Sequence, residues 1–266
     1  MSQKADLFRQ LHHGAEVLIL PNAWDAASAA TIADAGAKAI ATSSAAVAWT
    51  FGQADGDILA VESTCAVVSA ITRVTDLPVS CDFEGGFTDD LDQLSQNIAR
   101  LIDAGAVGVN FEDGSRDPDL HARKIAAVRQ TAEQKGVPLF INARTDVYLR
   151  QLATGEAAEA EAIRRGRLYA SAGADGVFVP GAAEAGLIGR LAAAIPAPLN
   201  ILAWPGAADA AALKALGVRR LSAGTGTFNV AFAALAKAAA DFLAVGSSDA
   251  IFAASKGAPS LQKRFS

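Results

Sequence analysis

The stretch DAGAVGVNFE, residues 103–112, decides the fold of this chain. Its first part ends a helix-like segment at Gly105, where the missing Cβ removes the steric cost of a left-handed residue. Its second part is a short apolar strand that ends in an acid, Glu112. This change from helix to strand at a glycine recurs, which predicts a chain of consecutive β/α units. The other copies are DAGAKAI (34–40), QKGVPLF (134–140), SAGADGV (171–177) and ALGVRRL (215–221).

Eight short apolar runs alternate with eight longer, Ala-rich segments. An open, doubly wound sheet gives a similar alternation, but eight units favour closure. We therefore predict a (β/α)₈ TIM barrel of eight parallel strands, in one domain that spans residues 1–266, with a short extra helix in the tail after Phe242. The predicted strands are 17–20, 39–42, 79–83, 107–111, 138–142, 176–179, 199–203 and 218–222.

Composition excludes several classes of protein. The chain is 52% hydrophobic and 19% charged, so we expect a large buried core. Its net charge of −5 and its lack of a basic stripe argue against a nucleic-acid partner. Cys65 and Cys81 are too few for a disulfide framework. We find no secretory leader and no apolar run of the roughly 18 residues that a membrane span needs, so we expect a cytoplasmic protein with no membrane partner.

Acidic side chains follow two neighbouring strands of the predicted barrel. Asp82 and Glu84 lie in VSCDFEGGF (79–87), and Glu112 ends the next strand. Period two places Asp82 and Glu84 on one face and turns Cys81 the other way. Three carboxylates at a barrel mouth repel one another unless a cation lies among them, and oxygen ligands select Mg²⁺ or Mn²⁺. The alternative is that these acids pair with Arg144, which ends the following strand.

Two further segments lie at predicted strand ends. In ATSSAAVAWTFGQADGD (41–57), the hydroxyl and N–H groups of Ser43, Ser44 and Ala45 could bind a carboxylate, although composition alone favours an ordinary polar turn. Asp55 lies in a glycine-flanked loop that either reaches over the mouth or forms an ordinary turn. SAGTGTFN (222–229) is either a phosphate cradle or a flexible turn before a helix.

Six motifs in order resemble the isocitrate lyase / phosphoenolpyruvate mutase superfamily, from Leu20 to the last helix. The resemblance implies a barrel that binds Mg²⁺ and a small 2-oxo acid and that makes or breaks C–C or C–P bonds beside an enolate. It also implies an exchanged last helix and a homotetramer or homodimer. The motifs are LPNAWDAASA (20–29), ATSSAAVAW (41–49), DGD (55–57), CDFEGGF (81–87), NFEDG (110–114) and INARTDVYL (141–149).

The resemblance also implies roles for particular residues. Asp82 matches the direct metal ligand, and Glu84 and Glu112 match acids that hold the metal largely through water. Asp55 matches a further acid that holds the metal largely through water. Ser43, Ser44 and Ala45 match the segment that binds the substrate carboxylate. Arg144 matches the arginine that contacts the substrate, and Asn200 matches a polar group on the seventh strand. We expect Asp55, Glu112 and Arg144 to take part in the chemistry.

The sequence departs from the superfamily at the lid after strand four. The lyases carry a lid cysteine as acid/base, and the phosphonate enzymes carry a Lys-Thr-Asn segment. EDGSRDPDLHARKIAAVRQ (112–130) has neither, and strand six ends in FVPG, where the lyases place a glutamate. This indicates a subgroup without the lyase cysteine and leaves the lid acid open. The nearby polar candidates are Arg116, His121, Arg123 and Lys124, although each is better explained as an ordinary solvated residue.

Together these features predict a Mg²⁺-dependent lyase that cleaves a C–C bond of a small 2-oxo or 2-hydroxy carboxylate, or decarboxylates it. A C–P bond mutase or hydrolase is the first alternative, and a 2-oxo acid binding barrel with little turnover is the second. An apolar last helix, near 230–242, and Ile251 and Phe252 in the tail favour a homo-oligomer, with a tetramer as the first expectation.

Overall fold

The computed structural model describes residues 1–266. Nine strands alternate with helices along the chain. The strands are β1 (Leu18–Leu20), β2 (Asn22–Ala23), β3 (Ile40–Thr42), β4 (Val79–Asp82), β5 (Gly108–Glu112), β6 (Phe140–Arg144), β7 (Gly176–Phe178), β8 (Leu199–Leu202) and β9 (Val218–Ser222). The helices are α1 (Ser2–His13), α2 (Ala26–Asp34), α3 (Ser44–Thr50), α4 (Val61–Val74), α5 (Leu91–Asp103), α6 (Pro118–Gln134), α7 (Gly155–Ser171), α8 (Ala185–Ala194), α9 (Ala210–Ala215), α10 (Gly226–Val245), α11 (Ser248–Ala254) and α12 (Leu261–Phe265).

All strand pairs are parallel, in the order β1-β9-β8-β7-β6-β5-β4-β3-β2. The two ends of this order, β1 and β2, are separated in the chain only by Pro21. Proline has no N–H to donate to a ladder, so the first strand is interrupted there and pairs with β9 before the break and with β3 after it. The prediction of eight strands is corrected to nine, and the sheet is a nearly closed TIM barrel, as predicted.

The repeated glycines occupy the positions that the sequence predicted for them. Gly105 follows α5 with φ of 102°, and a Cβ there would lie 3.0 Å from Thr72 Cγ2 of the neighbouring helix. Glycine therefore lets the chain turn sharply while α4 and α5 pack closely. The other four also have positive φ: Gly36, Gly136, Gly173 and Gly217.

Two segments differ from the sequence prediction. The unpredicted helix α1 packs Phe8 and His12 against Phe140, the first residue of β6, with the rings of His12 and Phe140 stacked at 3.9 Å. It therefore covers the N-terminal end of the barrel and leaves the opposite end open. The short helix α3 stands where we had considered a polar turn.

The outer faces of β1 and α10 are apolar and uncovered. Ile19 of β1 is 52% exposed and lines a mainly apolar groove of about 750 Å³ between α1 and α2. Only Phe228 of the 20-residue helix α10 is buried. By length and composition this helix could cross a membrane, so the expectation that no stretch reaches that length is wrong. Such uncovered apolar surface is unusual for a monomer.

Candidate active site

A cavity of about 170 Å³ lies at the carboxyl ends of the strands. Barrel enzymes have their active sites at this end. The cavity joins an acidic side, Asp82 and Asp55, to the guanidinium of Arg144. The other polar residues that line it are Asn22, Thr42, Ser43, Ser44, Ser80, Asn110, Arg220, Ser222 and Thr225.

Asp82 ends β4 and is fixed by three hydrogen bonds from side chains and backbone. Its Oδ2 accepts from Ser44 N at 3.0 Å and from Ser44 Oγ at 2.9 Å, and its Oδ1 accepts from Asn110 Nδ2 at 2.8 Å. Ser44 is the first residue of α3, so the start of this helix holds the acid. These bonds orient Asp82 toward the cavity without neutralising its charge.

Two of the three residues predicted to bind a substrate carboxylate therefore use polar groups in hydrogen bonds within the protein. Ser44 donates both its N–H and its hydroxyl to Asp82. The hydroxyl of Ser43 caps α3 by accepting from Ala46 N at 3.4 Å. All three predicted residues line the cavity, but Ala45 is the one whose polar groups are free of these bonds.

Glu84 does not line the main cavity. The strand ends at Asp82, and Glu84 has a left-handed φ of 49°, so the period-two argument does not extend to it. Its carboxylate accepts from the N–H groups of Gly56 and Asp57 and so ties the loop that carries Asp55 to the end of β4. Burial raises the pKa of Glu84 to about 7, which the Asp57 N–H opposes and the charges of Asp55 and Asp82 reinforce.

Glu112 ends β5 as an ion-pair partner of Arg144, with Oε2 at 2.7 Å from Nη1. Arg144 also donates from Nε and Nη2 to the two carboxylate oxygens of Asp146, at 2.6 and 3.1 Å. Glu112 thus forms the ion pair with Arg144 that the sequence offered as the alternative to a metal site. Burial raises the pKa of Glu112 to about 8, against the opposing charge of Arg144.

A buried network behind Arg144 fixes Asp146. Asp113, fully buried, accepts from Asp146 N at 2.9 Å, from Arg165 Nη1 at 2.9 Å and from Tyr169 Oη at 2.6 Å. Burial, followed by the charge of Asp113, raises the pKa of Tyr169, so its hydroxyl stays a donor. The network connects helix α7 to the strand end that carries Arg144.

The acids of the mouth fit a hard cation. They are oxygen donors. Desolvation, and after it the charge of Asp82, raises the pKa of Asp55 even though Asp55 is an exposed residue, and the charges of Asp55 and Asp82 add to the effect of burial on Glu84. A divalent cation relieves such repulsion. No three acidic, histidine or cysteine side chains lie close enough to form a ligand group by themselves. Of these acids, Asp82 and Asp55 line the cavity, and their oxygen atoms suit a hard cation there.

The predicted lid is short, because only residues 113–117 connect β5 to α6. Arg116 donates to Asp57 Oδ2 at 2.6 Å, and the buried Lys124 donates to Gly85 O at 2.6 Å. Burial lowers the pKa of His121 to about 3. None of the four lid candidates, the exposed Arg123 included, lines the cavity.

The turn after β9 is occupied by a side chain of this protein. Asn22 Oδ1 accepts from Ala223 N at 3.0 Å and from Gly224 N at 2.9 Å, so these two amides of the considered phosphate cradle are already hydrogen-bonded. Asn200 is buried and accepts from Ser222 Oγ at 3.1 Å, but it does not line the cavity.

Sequence reasoning missed Asn22, Ser222 and, above all, Arg220. A signal was available, because period two in VRRLS (218–222) puts either Arg219 or Arg220 inside the barrel. The structure puts Arg220 inside, 3% exposed, and Arg219 outside the cavity.

Comparison with known proteins gives the family. The sequence model of the phosphoenolpyruvate phosphomutase family matches residues 8–260. The chain therefore belongs to this family, within the isocitrate lyase / phosphoenolpyruvate mutase superfamily. The members of this superfamily that match the chain include 2-methylisocitrate lyases.

Three individual proteins are similar to the chain. The uncharacterized protein Rv1998c of Mycobacterium tuberculosis is 38% identical over 237 residues, which are 87% of each chain. An oxaloacetate decarboxylase of Paraburkholderia xenovorans is 30% identical over 190 residues, 69% of this chain and 63% of the relative. A crystal structure from Burkholderia cenocepacia J2315, whose assignment as a phosphonomutase is provisional, has a TM-score of 0.84 and 42% identity and covers 88% of this chain and 98% of its own.

Proposed function

We propose that this protein is a cytoplasmic, Mg²⁺-dependent lyase that decarboxylates oxaloacetate or cleaves a C–C bond of a closely related small 2-oxo carboxylate. One observation carries the proposal: a single small cavity places the acid Asp82 and the guanidinium of Arg144 together at the open end of the barrel. The 30% identity to an oxaloacetate decarboxylase supports the choice of substrate.

The size of the cavity favours a small substrate. Its volume of about 170 Å³ lies below the ~300–1,000 Å³ that is usual for sites of drug-sized ligands. Phe178, Pro180 and Leu202 close one side of it and limit the space beside Arg144. A molecule of few carbon atoms with two or three polar groups suits these walls.

In the proposed reaction, Arg144 binds and orients the anionic substrate. Three of its N–H groups are engaged by Glu112 and Asp146, which locks the plane of the guanidinium and leaves the others for substrate. When bound, Mg²⁺ supplies the positive charge that stabilises an enolate oxygen. Asp82, held by Ser44 and Asn110, is the residue that we assign to hold this ion.

For oxaloacetate, the bond between C3 and C4 breaks and carbon dioxide leaves. The bonding electron pair passes into the enolate of pyruvate, which takes one proton at C3. Since none of the lid candidates lines the cavity, we assign this proton to water that enters from the open mouth. The short connection at residues 113–117 is compatible with such access, because it is too short to fold over the site.

The test is turnover of oxaloacetate by protein that has been stripped of metal and supplied with Mg²⁺, with pyruvate measured as product. Free Mg²⁺ and an Asp82→Asn variant serve as controls for reaction in solution. We expect a rate that depends on both protein and metal, and inhibition by oxalate, a mimic of the enolate. Absence of any protein-dependent rate with oxaloacetate and related 2-oxo acids would contradict the proposal.

A second candidate is a C–P bond mutase or hydrolase. The 42% identity to the Burkholderia protein favours it. Phosphonopyruvate distinguishes the two, since a hydrolase releases phosphate from it and a mutase converts it to phosphoenolpyruvate. Tight binding of oxalate with Mg²⁺ but no turnover of either substrate would instead indicate a binding barrel.

A further inference from the structure

Arg220 is a charged side chain buried inside the barrel, and the proposed reaction does not use it. It lies in the middle of β9, is 3% exposed and lines the same cavity as Asp82 and Arg144. Its Nε donates to Ser222 Oγ at 3.1 Å, while its Nη1 is buried and has no hydrogen-bond partner. Although burial lowers the pKa of Arg220 to about 10, the group is protonated at neutral pH.

Two other arginines with largely buried side chains have counter-ions in contact. Arg144 pairs with Glu112 and Asp146, and Arg165 pairs with Asp113 at 2.9 Å and with Glu161 at 2.6 Å. Arg220 forms no ion pair, and the charge of Asp82 acts on it only from a distance. A buried guanidinium without a counter-ion is costly, because it has lost water and gained no carboxylate in exchange.

The two cavity arginines are well separated around the barrel. Arg144 is on β6 and Arg220 is on β9, three strands further along the sheet order. The charge of Arg144 is balanced by its own acids, so Arg220 contributes the uncompensated positive charge of the cavity. The Arg220 side of the cavity is lined by Asn22, Ser222 and Thr225, which are neutral.

We propose that Arg220 binds a second anionic group of the substrate, so that the enzyme selects small dicarboxylates over monocarboxylates. The inference rests on the proposed function, because it assigns Arg144 and Arg220 to opposite ends of one substrate. The ligand's second carboxylate supplies the counter-ion that the fold does not. Arg220 is thus a specificity-determining residue.

The test compares malate with lactate, two 2-hydroxy acids that differ by one carboxylate and that lack the 2-oxo group needed for decarboxylation. Binding of each is measured calorimetrically with the Mg²⁺-loaded full chain. We expect malate to bind about 10- to 100-fold more tightly than lactate, the range for a hydrogen bond to a charged group. Arg220→Met and Arg220→Gln should lose this preference, and Arg220→Lys should keep part of it.

Arg219→Met is the matched control. Arg219 is the next residue of the same strand, but it lies outside the cavity, in a shallow pocket with His12 and His13 at the other end of the barrel. We expect its malate preference to equal that of the wild type. The thermal midpoint of ligand-free Arg220→Met should equal or exceed that of the wild type, because an unpaired buried charge has been removed.

Three results would overturn the inference. The first is equal affinity of the wild type for malate and lactate. The second is an equal loss of affinity for malate and for lactate in the Arg220 variants. The third is a lower thermal midpoint of Arg220→Met with the malate preference retained, as expected for a purely structural arginine. If the preference is lost as expected but oxaloacetate is not turned over, only the proposed function fails. If oxaloacetate is turned over but malate is not preferred, only the role of Arg220 fails.

Discussion

Replacement of Asp113 by Asn tests whether the buried network behind Arg144 is built as described. The carboxylate of Asp113 is fully buried and accepts hydrogen bonds from Arg165, Tyr169 and the backbone of Asp146. An asparagine has one acceptor oxygen, and its NH₂ group would face donors. The change therefore removes the charge and leaves at least one buried donor without a partner.

The expected loss of stability is about 3–5 kcal/mol, the range for breaking a buried ion pair by removing one partner. Arg165 keeps its contact with Glu161, which places the expectation toward the lower end. At about 2–4 °C per kcal/mol for a chain of this size, the thermal midpoint should fall by roughly 6–20 °C. When the oxygen of the asparagine faces Arg165 and Tyr169, the N–H of Asp146 has no acceptor. We therefore also expect Arg144 to be less well fixed and kcat/KM to fall.

Thermal unfolding followed by circular dichroism measures the first effect. Glu161→Gln is the matched control, since it removes a carboxylate from the same arginine at a partly exposed site. Its loss should be about 1 kcal/mol or less. If Asp113→Asn melts within 2–3 °C (about 1 kcal/mol) of the wild type, the network does not carry the energy assigned to it.

Four further predictions follow from the site and the surface. Arg144→Lys should lower kcat/KM at least about tenfold, because one ammonium cannot reproduce the planar fork that meets Glu112 and Asp146; unchanged kinetics would make Arg144 structural. The raised pKa values of Glu84 and Glu112 make the folded state bind more protons than the unfolded state. The metal-free protein should therefore lose stability as the pH rises from about 5 to 8, and Mg²⁺ should restore it. A free energy of unfolding that does not change over this pH range would refute the prediction. Light scattering should show an oligomer, with a tetramer expected, that covers α10, and a monomer at micromolar concentration would contradict this. Isocitrate and 2-methylisocitrate should not be cleaved, since Cys65 is on α4 and Cys81 is buried away from the cavity; glyoxylate or pyruvate release at an ordinary rate would show otherwise.

The barrel could be predicted because its signals are local. A glycine with positive φ ends each repeated helix, and the apolar run that follows has the length of a buried strand. Pro21 shows where this reasoning stops: a single missing N–H divides the first strand, and only the closed sheet reveals that the two pieces pair with different neighbours. Helix α1 was missed because its role, to cover the N-terminal end of the barrel through Phe8 and His12, depends on contacts distant in sequence.

The candidate site was predictable residue by residue but not in its pairing. Period two correctly turns Cys81 into the core, yet it fails for Glu84, because the chain leaves the strand after Asp82 and adopts a left-handed conformation. The ion pair of Glu112 with Arg144 needs the register between β5 and β6, which places the two residues side by side. Period two in VRRLS places one of Arg219 and Arg220 inside the barrel, but only the structure shows that it is Arg220.

The proposal that Asp82 holds a catalytic Mg²⁺ is tested most directly by titrating the metal-free protein with Mg²⁺ and following both binding and oxaloacetate turnover. Asp82→Asn should abolish protein-dependent turnover and weaken Mg²⁺ binding severely, because the charge that faces the ion is removed. Asp89→Asn is the matched control, since Asp89 is a nearby acid that pairs with Arg116 and Lys124 outside the cavity, and its turnover should resemble that of the wild type. An Asp82→Asn protein that binds Mg²⁺ and converts oxaloacetate as the wild type does would contradict the account.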